Sequence, residues 1–476
     1  MALHITGAAD AALISLPWSM PLSSWPEERI AALPRGLSRH VVRFVRHGEK
    51  VLAVKETDER LAHREFEMLR ELERLEAPCV RAVAVVTGRT DLDGGPLAAA
   101  LVTEHLAFSL PYRALFSQSL RKGTLKRLVK ALSVLMVRLH LLGFYWGDVS
   151  LSNALFRRDA SEFSAYLVDA ETSDMHATLT DGQREHDLEI AMTNITGELL
   201  DLQASGDLEE DIDPFAVGER LERAYRELWE ALTEEATYTS NIPLHVAERI
   251  QRLNELGFDV DEVDMRSTDD GTAIVIRPKV VDAGHHSRRL MRLTGLDVQE
   301  NQARRLLNDL DEYRAMHPEV ADDETFAAHE WLTKIFEPTI RAVPRELRGK
   351  LEPAQIFHEI LDHRWYLAQA AEHDVPMPVA TASYVKNVLP TKADEKAVLG
   401  PSLAEMTAEL PALTAEFGME FEAHDKTGEI DNTAAWGTAA SDEIETEPPA
   451  TTGEMPTVVR KSTLRPPPRH KRPGAD

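Results

Sequence analysis

The chain has 476 residues, 43% hydrophobic and 28% charged, a globular composition with room for two or three domains and a sizeable core. Its 80 acidic and 53 basic side chains give a formal charge of -27, which argues against general nucleic-acid binding and against a broad footprint on an anionic membrane. A single cysteine, Cys79, excludes an intrachain disulfide and fits a reducing compartment. The N-terminus has no basic segment before its apolar run, Pro17 interrupts that run, and no stretch of eighteen apolar residues occurs. The expectation is a cytoplasmic protein without signal peptide or membrane span.

Residues 1–34 read as an N-terminal extension. Alternation over 39–56 predicts two strands around a turn at His47-Gly48-Glu49. A helix is expected over about 59–75, ending before Pro78, with strands at 80–87 and 97–104. The stripe of Leu125, Leu128, Val129, Leu132, Leu135, Met136 and Leu139 predicts a helix over 123–142. A loop follows, then a short hairpin ending at Asp169, then helices over about 184–203 and 214–235. The pattern breaks at TYTSNIP, near 236–243. Residues 240–390 read as a second, mainly helical domain with one strand pair near 260–265 and 273–277. Beyond 391 the apolar periodicity fades into an acidic segment, with at most one short helix at 402–417, and then a basic Pro-rich end. Both read as a disordered tail.

Lys55 ends the apolar strand VLAVK on the same face as Val51 and Ala53, where an ammonium needs an anion. Glu65 has Leu61, Met68, Leu69 and Leu72 at helical spacing, which sets its carboxylate in the middle of an apolar face. A carboxylate there requires a cationic partner, and Lys55 is one strand upstream. The stretch HLLGFYWGDVSLSNALF, 140–156, is the strongest signal. Its Gly147-Asp148 step allows a tight backbone that presents a carboxylate, and Asn153, five residues on, can turn back toward it. YLVDAE then delivers Asp169 from a strand end. Phosphoryl transfer needs this set: a carboxylate to orient a hydroxyl, an amide and a carboxylate to hold magnesium, and a lysine held on the phosphates by a glutamate. LVTEHL fits a connection between two lobes, where the backbone from Glu104 to Leu106 would bond an adenine.

On these residues, the segment 35–205 resembles the protein-kinase-like superfamily and, within it, bacterial lipopolysaccharide-core (Kdo/heptose) kinases and Rio-type kinases. The whole chain resembles a bacterial family in which such a kinase-like lobe precedes a domain of unknown function. The resemblance implies an α+β, two-lobed protein-kinase-like fold over 35–235, with a small β-rich N-lobe and a helical C-lobe. The mainly helical domain at 240–390 and the tail at 391–476 would follow. The resemblance implies ATP and magnesium as cofactors. It makes Lys55 and Glu65 the phosphate-positioning pair, Asp148 the catalytic base, Asn153 and Asp169 the metal ligands, and Glu104 and Leu106 the adenine contacts. The implied partners are a nucleotide and an acceptor hydroxyl on a small molecule, sugar or glycolipid.

The sequence departs from the superfamily's pattern in several places. The glycine loop is reduced to Gly36, Trp146 stands where a histidine is usual, and Ser150 stands where many protein kinases carry a lysine. Asp169 is followed by Ala170 and Glu171, and Glu171 could add a metal contact or cap the turn. These departures keep a second reading open, a pseudokinase-type nucleotide-binding or scaffolding protein without turnover.

In the second domain, basic residues cluster over 277–292. Arg277, Lys279, Arg288 and Arg289 form a candidate anion site, the alternative being that they pair with neighbouring acids. The histidines of HEILDH, 358–363, are five apart and do not match a zinc helix, so His363-Arg364-Trp365-Tyr366 is assigned to domain packing.

Overall fold

The computed structural model describes residues 3–7, 11–27, 30–31, 40–47, 50–116, 123–209, 211–233, 236–238, 242–255, 258–267, 274–320 and 323–395. For 259–267 and 274–283, among a few others, the backbone alone is described. The expected turn at 48–49, Gly36 and the tail beyond 395, with its expected helix at 402–417, lie outside the described residues.

Five strands build the small lobe: β1 (His4–Gly7), β2 (Val42–His47), β3 (Lys50–Thr57), β4 (Ala82–Thr87) and β5 (Ala99–Glu104). They form one antiparallel sheet in the order β1-β4-β5-β3-β2. The two-residue period of β3 sorts its side chains between two layers. Leu52 and Val54 are buried in a core with Leu13, Trp18, Leu22 and Trp25, from the chain that follows β1 and its short helix α1 (Ala11–Ile14). Ala53 and Lys55 face the opposite way, into a cavity.

The segment read as an extension is thus built into this lobe. Arg89, its side chain fully buried, bonds the carbonyls of Trp18 (3.2 Å) and Met20 (2.6 Å) and pairs with Glu56 at 2.9 Å. Glu56 also accepts the Leu22 N–H at 3.0 Å. Helix α2 (Glu59–Arg74) crosses β4 and β5. Asp58 caps it by accepting the Arg60 N–H at 2.9 Å, Glu59 and Arg74 suit its dipole, and Ala62, Glu65, Leu69 and Leu72 form its buried face.

The larger lobe holds β6 (Ser109–Pro111), α3 (Tyr112–Phe116), α4 (Thr124–Leu141), β7 (Phe144–Tyr145), β8 (Ala154–Asp159), β9 (Glu162–Leu167), β10 (Asp174–Met175), α5 (Asp181–Ser205) and α6 (Pro214–Thr233). β6, β8 and β9 make an antiparallel sheet, and β7 pairs with β10. Leu132, Leu135, Leu139, Leu188, Ile195, Leu199 and Leu221 bury the facing stripes of α4, α5 and α6 in one core. α5 opens with a reciprocal Thr180–Gln183 capping box and closes on Gly206 in the left-handed region.

The remaining elements are β11 (Ala236–Tyr238), α7 (Ile242–Glu255), β12 (Phe258–Ser267), β13 (Ile274–Ala283), α8 (His285–Thr294), α9 (Glu300–Met316), α10 (Glu324–Trp331), α11 (Glu337–Arg341), α12 (Pro353–Ala371) and α13 (Met377–Asn387). The strand pair exists where it was expected but is longer, and β11 adds a third strand. Leu253 and Phe258 are buried with the core of the larger lobe, whereas Leu306, Leu310, Trp331 and Phe357 centre a separate core. His358 is buried against Asp362 at 3.3 Å, and His363 bonds Ser383 at 3.0 Å. Trp365 and Tyr366 are 55% and 64% exposed, so these two do not serve the packing expected of them. Among the described residues, no helix is long and apolar enough to cross a membrane.

Candidate active site

A cavity of about 590 Å³ opens between the two lobes, with Lys55, Glu65, Asp148, Asn153 and Asp169 on its wall. The register of β3 places Lys55 between Val42 of β2 and Leu101 of β5, pointing into this space. Its ammonium meets Glu65 of α2 at 3.0 Å, Asp169 at 2.7 Å and Glu171 at 3.2 Å. Burial would favour the neutral amine, but the charges of Glu65 and Asp169 outweigh it and hold the ammonium above the usual lysine range. Glu65 is 1% exposed, and its carboxyl is pushed up to about 8 by burial and then by Asp169, against the pull of Lys55. One ammonium facing three carboxylates leaves excess negative charge, which adds to burial in raising the Glu65 carboxyl.

Asp148 and Asn153 line the same cavity, and the Asn153 carbonyl accepts the Val168 N–H, next to Asp169, at 3.1 Å. Asn153 Nδ2 donates to the Asp148 backbone oxygen at 2.9 Å and to its carboxylate at 3.1 Å. Both bonds use the amide nitrogen and leave Oδ1 as an acceptor. Asn194 of α5 donates to the other Asp148 carboxylate oxygen at 3.1 Å and to the Val149 carbonyl at 3.1 Å. Two side-chain amides therefore fix the orientation of the Asp148 carboxylate.

The loop's shape comes from Gly147 and from α5. Gly147 has φ +76, and a Cβ there would approach the Thr172 carbonyl at 3.0 Å. Asp187, fully buried, accepts the N–H groups of Trp146 and Gly147 at 2.7 Å each and contacts His140 at 3.2 Å. Glu198 accepts the N–H groups of Leu151 (2.8 Å) and Ser152 (2.9 Å) and the Ser152 hydroxyl. Trp146 has a structural use of its own. It is buried, its Nε1 donates to the Asp169 carbonyl at 3.1 Å, and its own carbonyl accepts from Thr172 at 3.1 Å. The indole so ties the Asp148 loop to the segment carrying Asp169.

Asp187, Asn194 and Glu198 were not singled out from the sequence. Their spacings of seven and four put them on one face of α5, beside the apolar residues Ala191 and Ile195. A polar row inside an apolar stripe was the available signal.

Carboxylate oxygens of Glu65, Asp169 and Glu171 lie within 4.8 Å of one another. This all-oxygen set, with the Asn153 amide oxygen in the same cavity, has the hard-donor chemistry that magnesium takes. Glu171 does not serve the turn through its side chain; its N–H donates to Asp169 Oδ1 at 3.1 Å, while its carboxylate meets Lys55 and, at 3.1 Å, His40.

At the inter-lobe connection, the Glu104 N–H donates to Arg81 O and the His105 N–H to Val51 O, both at 2.8 Å. The Glu104 carboxylate pairs with Lys50 at 2.8 Å. Among the described residues, the Leu106 N–H meets no acceptor, and it lines the cavity.

The basic cluster lies elsewhere. Glu300 accepts the N–H groups of His286 (2.8 Å) and Ser287 (3.0 Å) at the start of α8, so a carboxylate already sits where an anion would bind. Arg289 pairs with Glu324 at 2.5 Å. Arg288, at the head of α8, is near Gly284, while the side chains of Arg277 and Lys279 lie outside the described part.

The architecture is α+β, a β-rich small lobe and a largely helical larger lobe with a cleft between them, as the resemblance implied. Residues 43–205, from β2 to the end of α5, match the family model of the lipopolysaccharide kinase (Kdo/WaaP) family. Residues 227–389 match the model of a domain of unknown function, DUF4032. The chain is similar to a solved structure of WaaP in complex with acyl carrier protein, at 19% identity and a TM-score of 0.31, over 54% of this chain and 99% of that one. None of the curated proteins compared matches the chain.

Proposed function

We propose that the protein is an ATP- and magnesium-dependent phosphotransferase acting on an alcohol group of a small-molecule, sugar or glycolipid acceptor. The observation carrying this reading is the Lys55–Glu65 pair bonded to Asp169 in a cleft that Asp148 and Asn153 also line. The matched lipopolysaccharide kinase model supports a sugar or glycolipid acceptor. Lys55, held by Glu65, would neutralise phosphate oxygens. Asp148, fixed by Asn153 and Asn194, would take a hydrogen bond from the acceptor hydroxyl and aim its oxygen at the terminal phosphorus. Asn153 and Asp169, with Glu171 beside them, would hold magnesium, which supplies charge neutralisation on the phosphates when bound. Leu106 N–H is the donor available to an adenine. The compartment in keeping with ATP supply and one cysteine is the cytoplasm.

A binding-only reading draws on Ser150. Its hydroxyl accepts the Asn153 N–H at 3.2 Å, and the position offers no cation to a transferring phosphate. Melting of the wild type and Lys55→Ala, with and without magnesium ATP, together with ATP turnover, decides between the two. Stabilisation plus turnover in the wild type, both lost in the variant, supports transfer. Stabilisation without turnover supports binding alone, and neither effect removes the nucleotide from the account.

A further inference from the structure

The β8–β9 hairpin begins directly after Asn153 and ends two residues before Asp169. It is the covalent link between the two candidate metal ligands. A two-stranded hairpin is marginal by itself, and its neighbour β6 is only three residues long. The larger lobe buries Phe156, Phe163, Ala165 and Leu167 of the hairpin in its core, and the second domain grips it as well. Asp159, the last residue of β8, is 1% exposed. Its Oδ1 accepts the N–H of Gln302 in the first turn of α9 at 2.7 Å, and its Oδ2 accepts Asn301 Nδ2 at 2.8 Å. A carboxylate from the kinase-like lobe therefore caps a helix of the second domain, at the end where the helix dipole favours negative charge. Two further ties run along the same strand, Arg157 to Glu352 at 2.6 Å and Arg158 to Glu395 at 2.8 Å. Glu395, six residues beyond the matched segment 227–389, also lines the cavity that holds Lys55.

We propose that the domain matched as DUF4032 is a working part of the phosphotransferase site: by latching onto Asp159 it fixes the hairpin that sets Asn153 against Asp169. Asp159 is then a positioning residue, acting through the metal ligands. The proposal rests on the phosphotransferase reading. Its physical basis is that charge-bearing ligands act only when held within a fraction of an ångström, and that a buried carboxylate keeps its place only while its donors stay with it.

The test uses the full chain and measures ATP affinity across a magnesium titration for the wild type, Asp159→Asn and Asn301→Ala. Asp159→Asn turns an amide group toward donors in place of one carboxylate oxygen. The expected result is magnesium-ATP binding weakened about tenfold and a magnesium midpoint raised about fivefold, with metal-free ATP affinity changed less than about twofold. Asn301→Ala, which touches no cleft residue, shifts both in the same direction by about threefold. Hydrogen exchange over 154–167 reports that the latch has opened. Unchanged magnesium dependence in both variants with faster hairpin exchange overturns the proposal. If Asp159→Asn does not fold, Asn301→Ala decides it by the same readouts. A wild type that binds no ATP at any magnesium level overturns the phosphotransferase reading and this proposal with it, whereas wild-type binding with unshifted variants overturns this proposal alone.

Discussion

Replacing Lys55 by Met should destabilise the ligand-free protein, and the loss should grow above about pH 8. In the wild type Glu65 keeps its proton up to about 8, whereas the unfolded chain releases it near 4.5. Between these values the folded state binds the extra proton, so stability falls as pH rises, by up to about 1.4 kcal/mol per pH unit, and levels off above about 8. Lys55 is an influence that pulls Glu65 down, so its removal raises that carboxyl further and extends the falling range to higher pH. At about pH 8.5 the variant encloses Glu65, Asp169 and Glu171 without the ammonium that met all three. Breaking a buried pair in this way costs about 3–5 kcal/mol. For a cooperative unit of about 200 residues that is roughly 6–20 °C in melting temperature. At about pH 5 Glu65 is protonated with or without Lys55, and the lost attraction is mainly to the two less buried acids. The same holds at pH 7, so the penalty stays level up to about pH 8 and at pH 8.5 exceeds the pH 5 value by at most about 0.7 kcal/mol, half a pH unit at about 1.4 kcal/mol per unit. Thermal denaturation of wild type, Lys55→Met and Lys55→Met/Glu65→Gln at about pH 5, 7 and 8.5 measures this, and the double variant should lose the increment that appears above about pH 8. A penalty that rises between about pH 5 and 7, or a larger one at about pH 5 than at about pH 8.5, would refute the reasoning.

Three other outcomes follow from the loop that carries Asp148. Asp148→Asn should lower phosphoryl transfer by about 10²–10⁴-fold with a melting temperature near the wild type, because the side chain reacts and is not a core element; a stable variant with full transfer would remove Asp148 from the chemistry. Gly143→Ala should cost well over ~2 kcal/mol, since φ is +80 and a Cβ would lie 2.0 Å from the His176 carbonyl oxygen. Gly206→Ala, with φ +79 and open space, should cost only about 1 kcal/mol, and chemical denaturation of the two variants compares them. Asp187→Asn should cost about 2–4 kcal/mol and depress transfer, because its amide would face the N–H groups of Trp146 and Gly147; an unchanged denaturation midpoint would contradict this.

How much of this was legible varied with the range of the interaction. Lys55 and Glu65 were readable because each is a charge on an apolar face set by local periodicity, and a buried charge demands a partner. Asp148, Asn153 and Asp169 were readable from their order and spacing, and the structure brings all five residues to one cavity. The supports were harder to see. Asp187 and Glu198 meet loop backbone 40 to 47 residues away, and backbone donors leave no mark on side-chain sequence. Trp146 was read as a departure from pattern, yet its indole nitrogen makes a bond to the Asp169 carbonyl. The N-terminal strand β1 pairs with β4 across some eighty residues, a contact that four residues of modest alternation could not announce. The basic cluster left two readings, an anion site or pairing with acids, and acids do meet His286 and Arg289, though Glu300 and Glu324 arrive from later helices whose docking composition does not announce. Asp159 is an ordinary hairpin-end residue until α9 docks on it.

The central claim, that this cleft moves a phosphoryl group, is tested most directly by following the γ-label of ATP with magnesium in the wild type, Asp148→Ala and Asp169→Ala. The account predicts release or transfer of label by the wild type and none above background in either variant, with all three proteins folded. Label that stays on ATP in the wild type while ATP still binds, or equal transfer by all three, would contradict it.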